Sequence, residues 1–141
     1  MNTPLVPASA VMAAVLLLIP HRLPAEEVAI VNPSTPVSAV PAELVRDYFL
    51  GQKAAWSDGT KVAVVLSRDA SGQAPLLSFL GRSRNQFEVG WKKLIFTGRV
   101  TTPIQADSAE AVVELVAATP GAIGFVDRAK VTDRVRAISF Q

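Results

Sequence analysis

Four short apolar runs constrain the fold of this chain most strongly, because each has the length and composition of a buried strand. Valine or isoleucine occurs in all four, and most positions within them are apolar. Strands that are apolar at successive positions, rather than at alternate ones, predict a sheet covered on both faces by helices. The runs are residues 28–31, 61–66, 122–126 and 135–140.

Amphipathic helices are predicted between these runs. The first is predicted from Pro41 to a left-handed end at Gly51. Three more are predicted to begin near Ser71, at Ser83 and at Asp107, the last two on Ser-x-x-Gln and Asp-x-x-Glu capping patterns. The predicted element order is β-α-β-α-α-α-β-β, and the predicted fold class is α/β.

The beginning of the chain has the features of an export signal. Residues 10–19 form an uncharged apolar run of ten residues. A bilayer-spanning helix needs about 20 residues, so the run matches the apolar centre of a secretory signal better. Leu23-Pro24-Ala25 follows as a cleavage site. The sequence therefore predicts a signal peptide at residues 1–25, a single domain at 26–141 and a periplasmic location.

The charges around the apolar run leave an alternative open. No Lys or Arg precedes the run, and His21 and Arg22 follow it, which reverses the usual order of a signal peptide. An uncleaved membrane anchor is the alternative to export and cleavage.

Composition excludes several classes of function. The chain has no cysteine, and its one histidine, His21, lies in the predicted signal peptide. Disulfides, zinc or copper sites built on Cys or His, and Ser-His or Cys-His nucleophiles are therefore excluded from the mature domain. We expect no metal, no cofactor and no enzymatic activity. The 14 basic and 12 acidic residues give a net charge of +2, which predicts no nucleic-acid partner.

Four sequence motifs occur in a fixed order along the chain. They are DYFLG with WSDG, SRDASGQ, WKKLIFTG and TPGAIGFV, at residues 47–51 with 56–59, 67–73, 91–98 and 119–126. Together they resemble the substrate-binding proteins of phosphate ABC transporters. The resemblance implies a single lobe of a type II periplasmic-binding-protein-like fold, with a mixed sheet flanked by helices. Full members have two lobes that close on the ligand, and this chain is far shorter.

The same resemblance implies a function and partners. We expect an exported, non-catalytic protein that binds an oxyanion, with inorganic phosphate as the first candidate. An ABC transporter permease or another envelope protein is the implied partner. A homodimer is a further implied assembly, because two copies could rebuild a two-lobed cleft.

The SRDASGQ segment carries the candidate ligand-binding chemistry. A helix N-terminus presents unpaired backbone N–H groups and a partial positive charge, which suit phosphate. A serine hydroxyl can donate, a glycine lets the backbone approach the anion closely, and an arginine can make a bidentate contact. Two hydroxyl residues after the first strand lie where the family places further donors. The candidate ligand-binding residues are Ser34, Thr35, Ser67, Arg68, Asp69, Ser71, Gly72 and Gln73.

Two positions depart from the family pattern. The family's arginine stands two residues before Asp69, where this chain has Ser67, and Gln73 replaces a ligand threonine. Asp69 could accept a hydrogen bond from a protonated oxyanion or simply cap the following helix. The alternative function is therefore an interaction or scaffold module that kept the fold and lost the ligand.

Overall fold

Residues 26–140 are described in the computed structural model of the protein. The predicted signal peptide, residues 1–25, lies outside the described residues. Among the helices that are described, none has the length and apolarity that a membrane span requires.

Strands and helices alternate along most of the described chain. The strands are β1 (Glu27–Val31), β2 (Ala39–Val40), β3 (Ala63–Ser67), β4 (Ile104–Ala106), β5 (Ala122–Asp127) and β6 (Arg136–Phe140). The helices are α1 (Ala42–Phe49), α2 (Ala70–Leu80), α3 (Arg84–Phe96) and α4 (Ala109–Ala118), and a 3-10 turn follows β5 at Arg128–Lys130. The predicted order omits β2 and β4, because two or three residues are too few to show a strand period.

The strands form one mixed sheet in the order β2-β6-β1-β5-β3-β4. β1 runs antiparallel to β5 and β6, whereas β3 is parallel to β5 and to β4. We call the end of the sheet where β3, β4 and β5 finish the carboxyl end, and the opposite one the amino end. Because β1 runs against β5, it begins at the carboxyl end and finishes at the amino end.

Helices cover both faces of the sheet, as the sequence predicts. Ala29 and Val31 of β1 belong to the cluster under α1, α2 and α3, whereas Val28 and Ile30 belong to the cluster under α4. This division explains why the strands are apolar at successive positions. The predicted α/β class, with a mixed sheet flanked by helices, is confirmed.

Local capping signals set most of the helix ends. Ser83 caps α3 in a reciprocal capping box, as predicted. Gly51 and Gly81 have φ of 71° and 64°, the left-handed conformation expected where a helix ends. The predicted start of α4 was wrong by one residue: Ser108, not Asp107, is the N-cap, and its hydroxyl accepts a backbone hydrogen bond of 3.1 Å.

Candidate functional site at the carboxyl end of the sheet

A cavity of about 190 Å³ lies at the carboxyl end of the sheet. The loop from β3 to α2, the first turn of α4, the start of β1 and the end of β5 line it. In open α/β sheets, ligands bind in the crevice outside the carboxyl ends of the strands. We call this space the carboxyl-end cavity.

The first turn of α2 contributes a capped helix N-terminus. Asp69 is the N-cap, and its carboxylate accepts hydrogen bonds from the backbone N–H of Ser71, at 3.3 Å, and from the Ser71 hydroxyl. Both hydrogen bonds hold the pKa of Asp69 below its ordinary value, and the bond from the hydroxyl has the larger effect. The carboxylate of Asp69 therefore already occupies one anion position at the helix terminus.

Ser67, Gly72 and Gln73 fix the shape of the loop. The Ser67 hydroxyl accepts a hydrogen bond from the Asp69 N–H at 3.3 Å, and the Gln73 amide donates to the Ser67 carbonyl at 2.7 Å. A Cβ at position 72 would lie 2.6 Å from Ser67 Oγ. Gly72 is thus needed so that the first turn of α2 can lie against the Ser67 side chain.

Arg68 faces away from the carboxyl-end cavity. Its Nε lies 3.8 Å from a carboxylate oxygen of Asp107, and both side chains are largely exposed. Arg68 and Gln73 line a separate groove bounded by α2, α3 and β4. Of the segment from 67 to 73, the structure brings Ser67, Asp69, Ser71 and Gly72 together on the cavity, and it places the other candidates elsewhere.

Ser34 and Thr35 lie at the amino end of the sheet. The Ser34 hydroxyl and backbone N–H donate to the Asn32 side-chain oxygen at 2.6 and 2.9 Å. Because β1 is antiparallel to β5, the loop after β1 lies beside the start of β5, at the amino end of the sheet. Ser67 ends the next strand, β3, at the carboxyl end, roughly 13 Å away along the strand direction at 3.3 Å per residue. Ser34 and Thr35 therefore cannot share a small ligand with the helix start at Ser71.

Asn32 has a structural role that the sequence analysis missed. Its side-chain amide donates to the carbonyls of Val116 and Ala117, at 2.9 and 3.0 Å, and so caps the end of α4. The signal was present, since an Asn followed by Pro-Ser after a strand is typical of side-chain-to-backbone turns. Thr35 is 3% exposed, and its carbonyl accepts from the Arg136 guanidinium.

Acidic side chains surround the carboxyl-end cavity. Glu27 and Asp127 are paired across β1 and β5, and both line the cavity with Asp69. Burial raises the pKa of Glu27, and the nearby charge of Asp127 raises it further by a smaller amount. Lys130 is the one cation among the lining residues, and Glu110 binds its ammonium at 2.7 Å.

Glu27 and Asp127 were not among the predicted site residues. Both flank predicted strands, so their position at strand ends could be read from the sequence. The antiparallel pairing that brings the two residues side by side could not be read from the sequence.

The cavity therefore combines two opposing influences. The N-termini of α2 and α4 favour negative charge, whereas three carboxylates disfavour it. Serine hydroxyls supply donors, and the carboxylates accept. Such a site suits an oxyanion that carries O–H groups of its own. Within residues 26–140, no cluster of three or more His, Cys, Asp or Glu side chains could hold a metal ion.

The comparisons with known proteins give a fold but no sequence family. No protein-family model matches the chain, and no curated protein matches it either. Among solved structures, an ABC-type phosphate transport receptor from Vibrio cholerae has a TM-score of 0.64 and 23% identity, over 81% of this chain and 45% of that one.

Two further solved structures are similar. A putative phosphate ABC transporter substrate-binding protein from Clostridium perfringens, solved with bound phosphate, has a TM-score of 0.63 and 19% identity, over 79% of this chain and 43% of that one. PstS from Borrelia burgdorferi has a TM-score of 0.58 and 15% identity, over 82% and 47% of the two chains. The chain thus spans less than half the length of these structures. Over about four fifths of its length, the chain has the fold of part of these phosphate ABC transporter substrate-binding proteins.

Proposed function

We propose that the protein is an exported, non-catalytic binder of a protonated oxyanion, with inorganic phosphate as the first candidate ligand. The observation that supports this most is the convergence of two helix N-termini, α2 and α4, on the carboxyl-end cavity beside Ser67 and Ser71. The fold shared with phosphate transport receptors supports the same assignment.

Each residue of the cavity has a distinct task in this proposal. Ser67 donates its hydroxyl hydrogen to the oxyanion, and Ser71 turns its hydroxyl hydrogen from the Asp69 carboxylate to the ligand. The backbone N–H of Gly72 in the first turn of α2 is a further donor. Asp69 accepts a hydrogen bond from a protonated ligand oxygen. Glu27 and Asp127 disfavour a dianion, so the monobasic form of phosphate binds better than the dibasic form.

Isothermal titration of the purified protein with phosphate and with sulfate tests this proposal. Phosphate is expected to bind better than sulfate, because sulfate has no proton to offer Asp69. Ser71→Ala should weaken phosphate binding by about tenfold, since it removes one donor to a charged ligand. Ser78→Ala is the matched control, because Ser78 is an exposed serine of the same helix. No heat and no thermal shift at millimolar phosphate would overturn the proposal.

Export is proposed on the sequence alone. The apolar run at residues 10–19 and the site after Ala25 motivate cleavage before Glu26. Mass spectrometry of the protein recovered from the envelope should find a chain that begins at Glu26. An intact N-terminus in the membrane fraction would support the anchored alternative. A transporter permease is the proposed partner of the exported form.

A second candidate function is an interaction module without a small ligand. The three carboxylates on the cavity, and an Arg68 that lies outside it, favour this alternative. It predicts no phosphate binding, together with a stable dimer or an envelope partner that is captured with the protein. Light scattering and cross-linking with and without phosphate separate the two candidates.

A further inference from the structure

A second cavity, of about 160 Å³, lies at the amino end of the sheet. The end of α1, the end of α3 and the approach to β3 enclose it. The motifs at residues 47–51 and 91–98 contribute to its wall, and neither motif contributes to the carboxyl-end cavity. We call it the amino-end cavity.

A buried tyrosine lines this cavity. Tyr48 is 2% exposed, and its ring packs against Trp56 with the ring centroids 4.4 Å apart. Among the described residues its hydroxyl has no hydrogen-bond partner, and burial alone raises its pKa. The hydroxyl is therefore free to donate a hydrogen bond to a ligand in the cavity.

Three cations line the same cavity. They are Lys53, Lys61 and Arg99, and the lining includes no acidic residue. None of the three forms an ion pair with another residue in the described part of the chain. Their combined charge favours an anion, and little in the cavity opposes it.

The floor of the cavity is apolar. Trp91 forms part of it, and its indole N–H already donates to the Phe49 carbonyl at 3.0 Å. Gly51, at φ of 71°, lets α3 lie close, because a Cβ there would be 2.8 Å from Leu94 Cδ1. Further apolar lining comes from Val62, Val64 and Val100.

We infer that the amino-end cavity binds a small organic anion, with a carboxylate held by Tyr48 and the three cations and a short apolar body against Trp91 and the valines. The volume is below the roughly 300 Å³ at which drug-sized ligand pockets begin, so the body is small. An inorganic oxyanion would leave the apolar floor uncovered, whereas an aromatic or branched carboxylic acid covers it. This inference does not depend on phosphate binding at the carboxyl end.

Benzoate is the probe, and benzamide is its neutral counterpart of the same shape. Titration calorimetry of the purified protein should give a Kd for benzoate of about 1 mM or tighter, and at least about tenfold weaker binding of benzamide. Inorganic phosphate is titrated into the benzoate-loaded protein, and it should not displace benzoate at equal concentration.

Variants locate the binding. Tyr48→Phe removes only the hydroxyl and should weaken benzoate binding by about tenfold. Arg99→Gln, at an exposed position that tolerates change, should weaken it by about threefold. Lys93→Gln is the matched control, because Lys93 is an exposed cation of α3 outside the cavity lining.

Each contrary outcome overturns the inference. Equal binding of benzamide would remove the role of the cations, and displacement by equimolar phosphate would make the cavity a general oxyanion site. Absence of benzoate binding, or unchanged binding in both Tyr48→Phe and Arg99→Gln, would show that no such site exists.

Discussion

The two ends of the sheet have cavities of similar size and opposite charge. The carboxyl-end cavity, about 190 Å³, has three carboxylates and one cation that is already paired. The amino-end cavity, about 160 Å³, has three cations without ion-pair partners among the described residues, and no acid. An anion at the carboxyl end would depend on helix termini and hydroxyls, whereas an anion at the amino end would meet full positive charges. The two ends should therefore select different anions: a protonated oxyanion at one and an organic carboxylate at the other.

The largest effect on stability is expected at Gly51, where α1 ends against α3 in the wall of the amino-end cavity. Gly51→Ala should lower the free energy of unfolding by about 2–3 kcal/mol, because it combines a left-handed φ with a Cβ 2.8 Å from Leu94. Gly98→Ala is the control, since Gly98 has φ of 73° with open space around it, and should cost about 1 kcal/mol. Urea unfolding measures both. Equal losses would mean that the close contact with α3 contributes nothing.

The corresponding test at the carboxyl end is Gly72→Ala. We expect a loss of about 1–2 kcal/mol, because the new Cβ meets the Ser67 hydroxyl oxygen at 2.6 Å. In a Ser67→Ala background the loss should be smaller, since the nearest atom is then gone. A double-mutant cycle by urea unfolding gives the coupling. Additive losses would contradict the proposed contact.

Glu27→Gln tests the acidic character of the carboxyl-end cavity. The pKa of Glu27 is raised in the folded state, so its contribution to stability is complete below about pH 4.5 and is lost as pH rises through the folded-state pKa. The variant should therefore melt at a higher temperature than the natural protein at pH 7 and at the same temperature near pH 4.

The same substitution should strengthen phosphate binding at pH 7 by about threefold, because it removes one repelling charge. Benzoate binding at the amino end should not change. Glu43→Gln, at an exposed position of α1, is the control for both measurements. Weaker phosphate binding in Glu27→Gln would show that the carboxylate accepts from the ligand instead of repelling it.

The smallest effect is expected at Arg68. Its ion pair with Asp107 is exposed, so Arg68→Gln should change the free energy of unfolding by less than about 0.5 kcal/mol. Phosphate affinity should stay within twofold of the natural protein, because Arg68 lines the groove beside α3 and β4. A tenfold loss would restore the ligand role that the family resemblance implies.

The sequence predicted the parts of the fold that depend on local signals. The strands at residues 28–31 and 122–126, the capping box at Ser83 and the left-handed end at Gly51 all follow from neighbouring residues. The edge strands β2 and β4 could not be predicted in this way, because their pairing with β6 and β3 depends on contacts made elsewhere in the chain.

The candidate site could be predicted only in part, for the same reason. Ser67, Asp69, Ser71 and Gly72 are close in sequence and share one cavity. Ser34 and Thr35 are separated from them by the antiparallel direction of β1, which no motif indicates. Local strand and helix signals give the elements of a sheet, but not the direction in which each strand runs.

The most direct test of the central claim is a two-ligand titration followed by backbone NMR. Phosphate should shift the amide signals of Ser71, Gly72 and Ala109, at the starts of α2 and α4, and leave those of Gly51 and Gly98 in place. Benzoate should do the reverse. Shifts of Gly51 and Gly98 with phosphate, or the same set of shifted amides with both ligands, would contradict the assignment of different anions to the two ends of the sheet.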